Sequence, residues 1–518
     1  MKLAMGIYDS PQEQRQPVYY VDNLRGNIAV FGGPMTGKTT FIKSFLIRLY
    51  ENAERRPSED VYIIDFGGNI GLFGQLNNVC ACFDNSNEEN IKRVFRIIEK
   101  RLEENSRMLG SKNYYSLART SPRECPVHMS LIIENINAFL ADERYSTYQD
   151  KLMQFCRDGL SKGLSVIFSA NDTSGIGRIM ANIEYKIAFD MPADSYFEIF
   201  NEKVNKPMNI PGRCIVNLEG VTYECQIFHP FDTLDDDSKI AEVIEKNKDL
   251  VNQNRMATFP EILTSENVVL NCNKEKLELL SQDEILVGLD YYEHNPVMLN
   301  AEDSRTIAIY GKRKFGKTNL LTLIVDGLAS MHRDIRFIFF DDGRKELETL
   351  YAKYKDRNDT ALYYNMNDFL RTLLTDGYVI KEYAPLNMKS TSIKETPFTV
   401  FVIQGKSFYN GSRESKTLLK WIAEDMLGRA EEDGYLFIFS DVRNVSDADS
   451  RTVFNNLISC AFLLDNIGEF VSDRGNKSVF GEMDAKELKA EYAKCTCGDG
   501  YFYDIETDNL RKLKFIKA

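Results

Sequence analysis

The chain has 518 residues, 43% hydrophobic and 27% charged, with a formal net charge of −13. That acidic balance weighs against a nucleic-acid partner, because gripping phosphates needs a basic stripe. No apolar run approaches the ~20 residues that cross a membrane, and the opening MKLAMGIYDS has too short an apolar core for a signal peptide. Any anchor is therefore expected outside the residues shown.

The first signals in chain order are MGIYDSPQEQ and then NIAVFGGPMTGKTTFIKSFLIRLY. The second stretch is a β-rich apolar run, a glycine loop and a helical segment. Gly32, Gly33, Pro34, Met35, Thr36, Gly37, Lys38, Thr39 and Thr40 fit a phosphate-binding loop. Glycines let backbone N–H groups converge on phosphate oxygens, and the helix behind them presents its positive end. Lys38 is expected to reach the terminal phosphates of ATP, and Thr39 to ligate the accompanying Mg2+. VYIIDFGG follows, a strand ending at Asp65, which either caps the turn or acts through water near magnesium. Cys80 and Cys82 have no His or further Cys at zinc spacing and read as small strand residues. Ten dilute cysteines in all suit a reducing compartment.

The next strand, SLIIENINAF, is the one expected to supply the acids of an ATPase. Glu134 takes the magnesium position as a longer substitute for Asp. Asn135 takes the water-activating position, where an amide has no useful basicity. GLSVIFSAND then offers Asn171 or Thr173 as a polar sensor for the terminal phosphate. The periodic segment SKIAEVIEKNKDLVNQ, with Ile240, Val243, Ile244, Leu250 and Val251 at helical spacing, begins an ordered linker. Pro260 in RMATFPEIL favours an extended continuation.

After the linker the same order of signals returns, a sign of internal duplication. VGLDYYEHNP matches the first lead-in, and TIAIYGKRKFGKTNLLTLIVDGL matches the first loop. RFIFFDDG, ending at Asp341, matches VYIIDFGG, while PFTVFVIQG matches PVHMSLIIEN, and GYLFIFSDVR matches GLSVIFSAND. Gly311, Lys312, Arg313, Lys314, Phe315, Gly316, Lys317, Thr318 and Asn319 form the second loop, with a bulky ring at Phe315 where a small residue is usual. Here Gln404 and Gly405 stand at the two acid positions, so neither carries charge. Asp441 falls on the later strand, where it is expected to repel phosphate. Length allows roughly three domains, but the repeat sets two: tandem RecA-like P-loop domains over 1–235 and 285–518, joined by a linker over 236–284. Each is expected to be α/β, a mainly parallel sheet flanked by helices.

The order of P-loop, Asp-x-Gly strand, EKRLEENSRM…NYYSL, GLSVIFSAND…IMANIEYKIAF and NIPGRCIVNLEG resembles the FtsK/SpoIIIE ATPases. Two consecutive units with degenerate acids resemble the last two ATPase domains of the type VII secretion ATPases. That resemblance implies a membrane-anchored protein on the cytoplasmic face, a more competent ATPase domain upstream, and a homo-hexamer during transport. It implies small helical WXG100-type substrates read by the final domain. It also implies that MATFPEIL, through Phe259, Ile262 and Leu263, fills a pocket on the first unit, leaving the last unit's pocket for a substrate tail. Arg101 and Arg107 lie where such relatives place a trans-acting arginine, or are surface charge. A DNA translocase or conjugative coupling ATPase of the same fold is the alternative. His128, His229, His294 and His332 lack a partnered carboxylate motif and read as strand or loop residues. The closing RKLKFIKA alternates basic and apolar residues, as a lysine-protected edge strand does.

Overall fold

The structure is a computed structural model describing residues 2–518, except 53–57, 248–251, 281–283, 332–333, 380–397, 406–411, 443–447, 474–475, 477–478, 481–482, 209, 234, 253 and 302. It divides into two compact units, Met1–Ala257 and Thr258–Ala518. His332, Leu250 and Val251 lie outside the described residues.

The first unit is built on one ten-stranded sheet. Its strands are β1 (Leu3–Tyr8), β2 (Val18–Val21), β3 (Asn27–Phe31), β4 (Glu59–Asp65), β5 (Val79–Asp84), β6 (His128–Glu134), β7 (Leu164–Ala170), β8 (Ile183–Ala188), β9 (Arg213–Leu218) and β10 (Val221–Ile227). They lie in the order β2-β1-β10-β9-β8-β3-β7-β6-β4-β5. From β8 to β5 all neighbours are parallel, and the β9, β10, β1 and β2 end is antiparallel. The central strands β3, β6 and β7 are buried along their whole length, as continuous apolar runs covered on both faces must be. Alternate residues feed opposite cores: Ala29 and Phe31 on one face, Ile28 and Val30 on the other. Helix α1 (Lys38–Glu51) buries Phe41, Ile42, Phe45, Leu46 and Leu49, one helical stripe, against that second face.

The second unit repeats this order strand for strand. After the short β11 (Leu263–Thr264) come β12 (Ile285–Asp290), β13 (Pro296–Leu299), β14 (Thr306–Gly311), β15 (Ile335–Asp341), β16 (Ala361–Tyr363), β17 (Phe398–Gln404), β18 (Tyr435–Val442), β19 (Cys460–Leu464), β20 (Asp499–Asp504) and β21 (Asn509–Lys517). Their order is β13-β12-β21-β20-β19-β14-β18-β17-β15-β16. The duplication extends to an irregularity. The lead-in strands β1 and β12 both shift register, at Gly6 and at Gly288. A Cβ there would lie 2.4 Å from the Gln226 carbonyl oxygen and 2.3 Å from the Lys514 carbonyl oxygen, so only glycine fits.

Two expectations are corrected. The closing strand β21 is not an edge. It pairs with β20, β12 and β11, and two of its three lysines are buried: the Lys512 ammonium donates to the Ala493 carbonyl at 2.7 Å, and Lys514 pairs with Asp499 at 3.1 Å, while Lys517 is exposed. The stretch 256–263 does not act as a block on the first unit. Met256 packs there and donates its N–H to the Cys80 carbonyl, but Phe259 stacks on His294 at 3.8 Å and Leu263 pairs with Ile516, all within the second unit. Ile262 is exposed. The linker helix runs Asp236–Lys246 and places Ile240 in the first unit's core.

Candidate functional site

In the first unit β3 ends at the loop, and α1 begins at Lys38 behind it. The loop backbone takes left-handed angles at Gly32, Met35 and Gly37; the second loop does the same at Gly311, Lys314 and Gly316. These are equivalent positions, so both loops trace one cradle. A Cβ on Gly32 would lie 2.8 Å from Phe189 Cβ, and one on Gly311 2.6 Å from the Leu464 carbonyl oxygen. The Lys38 ammonium donates to the Gly32 and Gly33 carbonyls at 2.6 and 2.7 Å. Two of its three N–H groups are thereby used, and burial lowers its pKa, against the pull of Glu134. The Thr36 hydroxyl donates to the Gly33 carbonyl at 2.9 Å, and Met35 is fully exposed.

The next strand but one in the sheet, β6, brings Glu134 to this cradle. The Thr39 hydroxyl donates to Glu134 Oε1 at 2.5 Å, while Oε2 is buried without a hydrogen-bond partner. Burial pushes the Glu134 carboxyl above its usual range; the Thr39 hydrogen bond opposes this, Asp65 adds to it, and Lys38 opposes it again. An orphaned carboxylate oxygen beside a threonine hydroxyl is a donor set that fits a nucleotide-bound Mg2+. Mg2+ held here would need the carboxylate deprotonated, and because the proton is held to a higher pH than in free Glu, acidification would release the metal sooner than from an ordinary carboxylate. Glu134→Gln is expected to cut the Mg2+-dependent gain in ATP affinity by roughly tenfold and to flatten that pH dependence. Titrating ATP with and without Mg2+ between pH 5 and 8 checks both.

Among the described residues no acid stands at the water-activating position beside Glu134. Asn135 adopts a left-handed conformation and caps the helix Ile136–Ala141, its side chain accepting from the Ala138 N–H. Asp65 is a turn cap: its carboxylate accepts from the N–H groups of Gly67, Gly68 and Ile70. Thr173 is turned to Glu198, and the Asn171 N–H donates to Asn137. A 450 Å³ cleft opens from Met35 to Thr40 and continues along Pro211, Gly212, Gln226, Ile227 and His229. These last five were not singled out as site residues from the sequence, although the Pro-Gly turn before Arg213 marks the place. Arg101 is no free finger: it pairs with Asp60 at 2.6 Å and donates to the Tyr62 hydroxyl at 2.7 Å. Arg107 is exposed beside Glu103. His128 is buried and faces Glu59 at 3.2 Å, at the strand ends opposite the loop.

The second site differs in its chemistry. The Lys317 ammonium donates to the Gly311 and Lys312 carbonyls at 2.8 and 2.9 Å and lies 3.3 Å from Asp441 Oδ1. The other Asp441 oxygen accepts from Arg344 at 2.8 Å. Gln404 is buried and donates to Glu346. Asp341, like Asp65, caps its turn, accepting from the N–H groups of Gly343, Arg344, Lys345 and Leu347. A 720 Å³ cleft is lined by Gly311, Lys312, Arg313, Lys314, Gly316, Lys317, Thr318, Arg344, Glu346, Asp441 and Cys497. Phe315 is absent from that lining because its ring packs on the hydrophobic core. Asn319 also turns away: its amide donates to the Ile516 carbonyl at 2.8 Å and its oxygen accepts from the Ala518 N–H at 2.9 Å.

No protein-family model matches the chain. The solved structure of ATPases 2 and 3 of EssC from Geobacillus thermodenitrificans superimposes with a TM-score of 0.68, covering 100% of this chain and 96% of that one at 20% identity. The chain has the tandem ATPase fold of EssC and EccC. ATPases 2 and 3 of Thermomonospora curvata EccC, solved with a signal sequence peptide, give a TM-score of 0.65 at 18% identity, covering 100% and 93%. In sequence, the chain is 24% identical over 339 residues to the ESX secretion system protein EccC of Geobacillus thermodenitrificans, 62% of this chain and 22% of that protein. It thus spans under a quarter of the length of this EccC relative. Among the described residues no helix is long and apolar enough to cross a membrane.

Proposed function

We propose that this chain is the C-terminal ATPase module of a type VII secretion motor, with one working nucleotide site. The observation that carries the reading is the asymmetry of two equal cradles: Thr39 faces Glu134 in the first, whereas Lys317 faces Asp441 in the second. Lys38 holds the terminal phosphates of ATP, and Thr39 with Glu134 holds Mg2+, which neutralises charge on the phosphates when bound. The first unit positions nucleotide, but Asn135 holds the water-activating position and no base replaces it among the described residues, so hydrolysis is slow or absent. A missing base costs about 10²–10⁴ in rate.

The second unit serves regulation and recognition. The EccC structure solved with a signal sequence peptide supports the signal segment of a secreted protein as a partner, and in this reading the substrates are helical proteins of the WXG100 type. The relatives' names support a place in a secretion system, on its cytoplasmic side and behind a further ATPase domain, and this reading adds membrane components and a homo-hexamer. Nucleotide then acts by favouring one domain arrangement. Calorimetric titration of ATP–Mg is expected to give one nucleotide per chain, with steady-state cleavage slower by at least about 10²-fold than an ATPase carrying the base. Two equivalent sites, or fast sustained cleavage, would refute this reading.

A further inference from the structure

The two sheets share strand order, and one of the places where their registers part lies beside the second loop. In the first unit β3 and β7 pair without interruption, Val30 with Ser169 and Phe31 with Ala170. In the second, Ile309 pairs with Ser440 but Tyr310 pairs with Val442. Asp441 is the extra residue of a bulge, held at a φ of 53°. Bulges re-aim a side chain: Val442 takes the core place that Ala170 holds in the first unit, and the inserted Asp441 turns its carboxylate to the loop lysine. The carboxylate is largely buried, with its side chain 8% exposed, between Lys317 and Arg344. The Gly311 and Lys312 carbonyls take two of the lysine's N–H groups, and Asp441 faces the same ammonium at 3.3 Å.

We propose that Asp441 is a tethered counter-anion that holds Lys317 and Arg344 and so keeps nucleotide polyphosphates out of the second loop. This deepens the one-site reading above and rests on it. A phosphate entering this cradle must displace Asp441 from two cations and then stand beside its charge, which like-charge repulsion opposes. The remaining loop cations, Arg313 and Lys314, leave the cleft attractive to anions at its rim, so the exclusion lies at the lysine and not at the mouth.

The test uses the full chain with the first site silenced by Lys38→Ala, so that only the second loop reports. Lys38→Ala alone should bind ATP–Mg weakly or not at all by calorimetry. Adding Asp441→Asn should tighten binding by about tenfold or more, and a further Lys317→Ala should abolish the gain. Asparagine tolerates the left-handed backbone at this position, so the bulge is kept; an unchanged melting temperature verifies it. The inference is overturned if Lys38→Ala already binds one nucleotide through Lys317, or if the folded Asp441→Asn variant binds no better than its parent. Failure of the unmutated chain to bind at Lys38 sinks the one-site reading alone, since a gain on Asp441→Asn still supports the counter-anion.

Discussion

Lys38→Ala lowers the affinity of the chain for ATP–Mg by about 10- to 100-fold, whereas Lys317→Ala changes it less than about twofold. The first figure follows from removing a charged donor to phosphate, worth about 1.5–3 kcal/mol, with each 1.4 kcal/mol a factor of ten. Lys38 has one N–H group beyond those given to the Gly32 and Gly33 carbonyls, and its burial already disfavours its charge in the free protein. Its removal therefore leaves the melting temperature of the free chain nearly unchanged. Lys317 is already committed to Asp441. Calorimetric titration of the two variants beside the parent decides the matter, and equal losses would contradict the asymmetry.

Arg101→Ala destabilises the first unit by about 3 kcal/mol, because it strands the buried Asp60 carboxylate without its cation. The pair is short, at 2.6 Å, and Asp60 is 7% exposed there. The Asn254 amide, 2.8 Å from the same oxygen, supplies a dipole but no charge. At roughly 2–4 °C per kcal/mol for a unit of this size, the first melting transition falls by about 6–12 °C. Nucleotide affinity should not move. Asp60 sits near the start of β4 and Asp65 at its end, ~16 Å away along the strand. A variant that melts like the parent but loses cleavage would restore the trans-acting role that the ion pair argues against.

The duplicated fold was legible because its signals are local. Gly32 to Thr39 and Gly311 to Thr318 fix strand, turn and helix within a few residues, and the repeat fixed which later strand supplies Glu134 or Gln404. The lead-in glycines, Gly6 and Gly288, were visible as a match before the shared bulge explained them. What escaped depends on pairing between distant segments. The closing strand looked like an edge because alternating lysines usually mean solvent; Lys512 and Lys514 instead find the Ala493 carbonyl and Asp499. Asp441 was recognised as misplaced for phosphate, but its ion pairs depend on one inserted residue in β18, which no composition reveals. The cleft residues Gln226 and His229 come from β10 and the loop behind it, far from the P-loop in sequence and adjacent only once the sheet closes.

Asn319 gives the second unit a mechanical coupling. Both hydrogen-bonding ends of its amide are taken by the backbone of Ile516 and Ala518, and it sits one residue past the threonine of the phosphate loop. Tension on the last three residues is therefore delivered to the first turn of the helix that frames the loop. A load carried through residues 516–518 is a handle on the second cradle.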